Sequence, residues 1–235
     1  MRDAVYHYMA EPNPFILFGT DHIVGTIVFL CLWIWLPNYT KNNLSKSDQE
    51  RLGIFLGFVV MSNYLVWVGL EAIAGTFDPK LHLPFHLCRF ANLAIPIVMI
   101  WKKERLFQIL YFWGMSGMLQ GAFTPDVTHG FPHFHYFRFF IGHNGMVLVL
   151  IYAIVVFEMR PTLKGLWDSF LALNGFLGLA TIVNLVLDSN STAMISIYTK
   201  FQPHRVKNVR LVAFLRLSAC VEKCRKVDLR YCRPR

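Results

Sequence analysis

The chain has 235 residues, of which 55% are hydrophobic and only 16% are charged, and its formal net charge is +9. A charged share this low excludes an ordinary soluble domain, in which about a quarter of the residues are charged. We therefore expect an integral membrane protein whose partners are membrane lipids and not nucleic acids.

Six apolar blocks follow one another along the chain, each of about the length that crosses a bilayer. They cover residues 15–36, 52–74, 84–101, 105–123, 139–157 and 165–187. The first block is the weakest, because Asp21 and His22 interrupt it. The sequence therefore predicts an all-α, polytopic membrane protein with about six transmembrane helices, formed by one domain over residues 1–190.

Lysine and arginine in the loops predict the orientation, because these residues are enriched in cytoplasmic loops. The loops after the first, third and fifth blocks carry eight of them, whereas the opposite side carries three up to the sixth block. We therefore expect the amino terminus to lie outside the cell membrane and those three loops to lie in the cytoplasm.

The segment 191–235 differs from the rest, because it supplies the whole net charge and three of the five cysteines. Six crossings would place this basic segment outside, against the charge rule. Three explanations stay open: five or seven crossings, a long tail that is exempt from the rule, or a tail that is not native to the fold, as after a shift of reading frame. As a native segment it would suit a basic amphipathic helix on anionic lipid.

Ionisable residues concentrate at the predicted outer ends of the helices, where eight of the nine histidines fall. An ionisable group within a membrane segment indicates a functional site. If the third helix starts at Pro84 and the fifth near Arg138, Cys88 and His143 lie about 6 and 7.5 Å from those starts, at 1.5 Å per residue. The two side chains are thus predicted at matching depth.

The ionisable residues at the predicted outer ends of the helices form a polar layer, and three functions of this layer stay open. Cys88 could be a nucleophile with His143 or His86 as its base. The motif HGFPHFH, with three histidines, and the motif HLPFH, with His82 and His86, could bind a metal. A proline interrupts the helical spacing of each motif and no acidic residue completes a known pattern, so we expect neither a metal nor another cofactor. In the third use the layer has no chemistry and lines a cavity for lipid or solute.

The stretches LPFHLCRFANL, HYFRFFIGHNGMVLVL and NLVLDSN resemble the bacterial YwaF-like family of six-helix membrane proteins. They are similar, more distantly, to the animal transmembrane acyltransferases that build polyunsaturated ether phospholipids. In that animal branch, a cysteine on the third helix and a histidine on the fifth are the proposed catalytic pair. The histidine matches His143, but the cysteine matches Phe85, so Cys88 is a candidate displaced by three residues, which would share a face on a helix.

The sequence and the resemblance together predict a lipid acyltransferase or acyl hydrolase with Cys88 as nucleophile and His143 as base. Its substrate would be a phospholipid or another acyl compound of the membrane. The predicted substrate-binding residues are His86, Arg89, Asn92, Arg138 and Asn144. The alternative is a non-catalytic lipid- or solute-binding protein, a transporter or a receptor, in which the same histidines line a pocket.

Overall fold

A computed structural model describes residues 2–10 and 13–186 of the chain. Its helices are α1 (Arg2–Ala10), α2 (Thr20–Asn43), α3 (Lys46–Ala74), α4 (Pro79–His82), α5 (Leu87–Trp101), α6 (104–123), α7 (Phe134–Val155) and α8 (Leu163–Val186). No β-strand occurs in these ranges apart from one isolated bridge between Pro14 and His129, so the all-α fold is confirmed. The predicted tail, 191–235, lies outside the described residues.

Each of the six predicted apolar blocks falls on one of the longer helices, α2, α3 and α5 to α8. Four of these helices, α2, α3, α7 and α8, are long and apolar enough to cross a membrane. Helix α5 is apolar but has only 15 residues, and α6 changes its helical form midway. A polytopic membrane protein is therefore confirmed, while the number of six crossings stays a prediction.

Local signals delimit α3 at both ends. The Ser45 hydroxyl accepts the backbone N–H of Asp48 at 3.2 Å and so satisfies one of the free amides of the first turn. At the other end, Gly75 adopts a left-handed conformation with a φ of 78°, which ends the helix and returns its amide to the last carbonyls.

Two helix starts differ from the prediction. Helix α5 begins at Leu87 and not at Pro84, because the backbone is still extended at His86. Helix α7 begins at Phe134 and not near Arg138, because His133 caps it by accepting the backbone N–H of His135 at 3.1 Å. The depths of Cys88 and His143 that were counted from the predicted starts were therefore wrong.

Helices α6 and α7 each contain one turn of π-helix, at Gly114–Met118 and Ile141–Gly145. The two π turns contact each other, and the turn in α7 also contacts α3 and α5. Of the four candidate spans, α7 has the largest buried share. The π turn that carries His143 therefore lies in the centre of the helix packing.

The helix ends gather at two opposite ends of the helical domain. At the histidine-rich end, the loops 13–19, 75–86 and 124–133 are joined to the helices by contacts such as the hydrogen bond of 2.7 Å from the Tyr64 hydroxyl to the carbonyl of His82. At the lysine-rich end, the loops 44–45, 102–103 and 156–162 are joined by ion pairs such as Lys41–Glu158 at 3.0 Å. These groups match the two predicted sides of the membrane, and the side that faces outward stays a prediction.

Candidate functional site

Cys88 is the second residue of α5, half-buried, and packs against the hydrophobic core. His86 precedes the helix and makes no side-chain capping bond to it. Phe85 lies before the first turn of α5. Phe85 and Cys88 therefore do not share a face of one helix, contrary to the prediction. Among the described residues, no hydrogen bond joins Cys88 to His143.

His143 lies on the π turn of α7, with its imidazole stacked on Phe139 at 4.1 Å between ring centres. Its Nδ1 is 3.1 Å from the carbonyl oxygen of Phe139. A carbonyl only accepts, so Nδ1 carries the proton and Nε2 keeps a lone pair. Gly121 of α6 leaves room for the ring, since a Cβ on this glycine would lie 3.1 Å from Cδ2 of His143.

Asn92 connects the turn that holds Cys88 to the turn that holds His143. This side chain is only 6% exposed. In the orientation that satisfies its amide, the nitrogen donates to the carbonyl of Gly142 at 3.1 Å and to the carbonyl of Cys88 at 3.3 Å. Asn92, a predicted substrate-binding residue, thus uses its two amide protons in hydrogen bonds to α5 and α7 and holds these helices side by side.

Asn144 is fully buried, at 0% exposure. Its backbone carbonyl oxygen accepts the indole N–H of Trp33 at 2.9 Å. Neither atom of its side-chain amide has a hydrogen-bond partner within the described ranges. A buried amide without a partner is unusual, because the lost hydration costs about 1–3 kcal/mol. It is the kind of group that a bound ligand satisfies.

Arg89 and Arg138, named here the arginine pair, both lie over the indole ring of Trp67. Their guanidinium carbons are 4.6 and 4.1 Å from the ring centre. Arg89 also donates to the carbonyls of Leu81 and Leu83. In the part of the chain that the structure describes, neither arginine forms an ion pair, and Nε of Arg138 is buried without a partner.

The comparisons with known proteins fit this helical membrane domain. A model of the TMEM164 family matches residues 17–214, which include every residue of the candidate site. The chain belongs to the TMEM164 family. An uncharacterised protein of Treponema pallidum (strain Nichols) is 26% identical over 175 residues, which are 73% of this chain and 70% of that protein. No solved structure matches.

The family match bears on two predictions. It supports a membrane protein, while the YwaF-like name stays a resemblance. It also runs to residue 214, and so extends into the basic segment 191–235. The origin of the tail stays a prediction.

The loop before α7 of this TMEM164-family protein holds a cluster of three imidazoles, which was not predicted as a site. His129, His133 and His135 each offer a ring nitrogen, and these three atoms lie within 4.8 Å of one another. The motif HGFPHFH was the signal. Its proline argued against a regular helical spacing, but the loop folds back and gathers the rings without a helix.

Proposed function

We propose that this protein is a membrane lipid acyltransferase or acyl hydrolase, with Cys88 as the nucleophile and His143 as the base. The observation that carries the proposal is the bridge made by Asn92, whose amide holds the carbonyls of Cys88 and Gly142 within 3.3 Å of its nitrogen. The nucleophile and the base thus lie on turns that one buried side chain connects. The tautomer of His143 adds support, because Nε2 is the nitrogen that can accept a proton.

The chemistry follows the usual two steps of covalent catalysis. Nε2 of His143 takes the proton of the Cys88 thiol as the sulfur attacks the acyl carbonyl of a lipid. A thioester forms, and the ester oxygen of the donor leaves with that proton. A hydroxyl group of a second lipid, or water in the case of hydrolysis, then attacks the thioester, returns a proton through His143 and restores the thiol.

The arginine pair supports a phospholipid as the substrate. Guanidinium groups bind phosphate through charge-assisted hydrogen bonds. Half-buried arginines that form no ion pair among the described residues would be stabilised by an anion from the membrane surface. Arg89 is the residue next to Cys88, so a phosphate held by the pair would place the ester groups of the same lipid close to the thiol.

A non-catalytic lipid-binding protein is the second candidate. It is favoured by the lack of a hydrogen bond between Cys88 and His143 in the described residues, and by the packing of Cys88 against the core. In this case the arginine pair would retain an anionic lipid without turnover.

Replacement of the thiol separates the two candidates. The purified full chain in lipid nanodiscs is given a phospholipid with a labelled acyl chain and a lysophospholipid acceptor. Cys88→Ala should abolish transfer and hydrolysis, and Cys88→Ser should be nearly as inactive, because a hydroxyl is a weak nucleophile without full activation by a base. The matched control is Cys31→Ala, since Cys31 is exposed on α2 and should be dispensable.

Full activity of Cys88→Ala would exclude the thiol mechanism. Co-purified phospholipid without any turnover in the unmodified chain would favour the binding protein.

A further inference from the structure

The three loop histidines form a compact stack beside α1. The ring of His133 lies 4.2 Å from that of His129 and 5.1 Å from that of His135. The ring of His133 also stacks on the ring of Tyr8, with 5.0 Å between the ring centres. Imidazole is a preferred ligand of zinc, copper and nickel, so three imidazoles this close are a candidate for a metal centre.

Each histidine has one ring nitrogen that can act as a ligand. Nε2 of His133 lies 2.9 Å from the carbonyl oxygen of Tyr8 and must donate to it, which leaves the lone pair on Nδ1. Nδ1 of His129 is 2.7 Å from the Thr128 hydroxyl, and when this hydroxyl accepts the proton of Nδ1, the lone pair stays on Nε2. In the described part of the chain, Nδ1 of His135 is buried and has no partner at all.

These contacts are of the type that surrounds metal-binding histidines. The ring nitrogen that does not bind the ion usually donates to a carbonyl or another oxygen, which fixes the tautomer and the orientation of the ring. Tyr8 and Thr128 supply such oxygens for His133 and His129. The lone pair of His133 now accepts the N–H of His135 at 3.1 Å, and an ion would take the place of that amide.

The loop that carries the cluster is held from several sides. Its Gly130 donates to the carbonyl of Asn13 at 2.7 Å, and the side chain of Asn13 donates back to Gly130 at 3.0 Å. The amide of Phe131 donates to a carboxylate oxygen of Asp21 at 3.1 Å. A loop fixed in this way holds its ligands near one geometry before an ion arrives, which favours binding.

The ligand atoms decide the class of ion. All three candidate ligands are imidazole nitrogens, which suit zinc, copper and nickel. Calcium and magnesium need oxygen ligands and are therefore excluded.

We propose that His129, His133 and His135 bind a divalent transition-metal ion, with Zn²⁺ as the best fit, at the histidine-rich end. Three imidazoles at about 2.0–2.1 Å leave a fourth tetrahedral position for water or another ligand. The site contains neither Cys88 nor His143, so the outcome of its test is independent of the acyl-transfer proposal.

A cobalt titration tests the site, because Co²⁺ reports tetrahedral coordination by visible absorption. The full chain, purified with a tag that contains no histidine and stripped with EDTA, is titrated with Co²⁺ and then with Zn²⁺. We expect one Co²⁺ per chain, a visible band that Zn²⁺ abolishes, and a higher unfolding temperature with Zn²⁺.

Variants assign the ligands. His129→Ala and His135→Ala should each abolish the band. Thr128→Val, which removes only the oxygen that orients His129, should weaken binding about 10-fold. His7→Ala is the matched control, because His7 is exposed on α1 and outside the cluster. If the stripped chain shows no band, or if His129→Ala binds as tightly as the unmodified chain, the proposal is wrong. Loss of binding in His7→Ala would also overturn the assignment.

Discussion

At the scale of single residues, the placement of the His143 ring is set by its neighbours. Phe139 fixes the tautomer through its carbonyl and the plane of the imidazole through its ring. Gly121 faces the edge of the same imidazole across the gap between α6 and α7. A base must lie within hydrogen-bond reach of the proton that it removes, so this packing determines whether the proposed reaction can proceed.

A methyl group at Gly121 should impair the proposed reaction without unfolding the protein. The new Cβ would lie 3.1 Å from Cδ2 of His143, so the ring must shift by a few tenths of an ångström. We expect Gly121→Ala to lower the rate of acyl transfer about 10-fold, because small displacements of a catalytic group are costly. The unfolding temperature should change little.

The matched control for this prediction is Gly117→Ala, four residues earlier on α6. A Cβ there meets no atom within 4 Å, so this variant should keep the full rate. Equal rates in Gly121→Ala and Gly117→Ala would show that the position of His143 does not limit the reaction.

Single residues also show how much of the candidate site can be predicted from the sequence. His143 and Cys88 could be singled out because ionisable or nucleophilic groups are costly in apolar segments. The roles of Asn92 and Gly121 could not be found, because both depend on which helices lie side by side. The motif of the three loop histidines was visible in the sequence, but the proximity of their rings could not be predicted, because it comes from a loop held by Asn13 and Asp21.

At the scale of helices, the apolar blocks predicted the existence and the order of the six long helices but not the residues at which they end. The first block ended at residue 36, whereas α2 continues to Asn43. The polar residues of its last turns bond within the helix, as Asn38 does to the carbonyl of Ile34 at 2.7 Å and Asn43 to that of Tyr39 at 2.9 Å. Hydropathy reports only the part of a helix that prefers lipid, so helical turns beyond it are missed.

The contact between α5 and α7 should depend on the amide of Asn92. Asn92→Leu removes two hydrogen bonds and leaves the carbonyls of Cys88 and Gly142 without these donors. Because hydrogen bonds between membrane helices contribute modestly, we expect a loss of about 1 kcal/mol in the free energy of unfolding. Unfolding in mixed micelles, followed by tryptophan fluorescence, measures this change.

Asn174→Leu is the control for this helix contact. Asn174 is exposed on α8, and among the described residues its side chain bonds only to the carbonyl of Phe170 in its own helix, at 2.7 Å. It should leave the free energy of unfolding nearly unchanged. If both variants had the same effect, the bridge between α5 and α7 would not stabilise the fold.

At the scale of the whole molecule, the two ends of the helical domain differ in chemistry. The candidate site, the arginine pair and the imidazole cluster all lie toward the histidine-rich end, while the ion pairs Lys41–Glu158 and Arg105–Asp168 lie at the other end. This polarity could be predicted from loop composition, because basic loops stay in the cytoplasm. The side of the membrane on which the site opens determines which leaflet would supply its lipid.

Cysteine labelling in intact cells tests this orientation. A cysteine introduced at Asp78 or Thr128, at the histidine-rich end, should react with a membrane-impermeant thiol reagent added outside. A cysteine at Asn43 or Glu104, at the lysine-rich end, should react only after the membrane is permeabilised, because the loops at this end carry the excess of lysine and arginine. Thr128, Asn43 and Glu104 are all exposed, so a difference in labelling reports the side of the membrane and not burial. Labelling of Asn43 from outside, with protection of Thr128, would invert the orientation and place the proposed acyl-transfer site on the cytoplasmic leaflet.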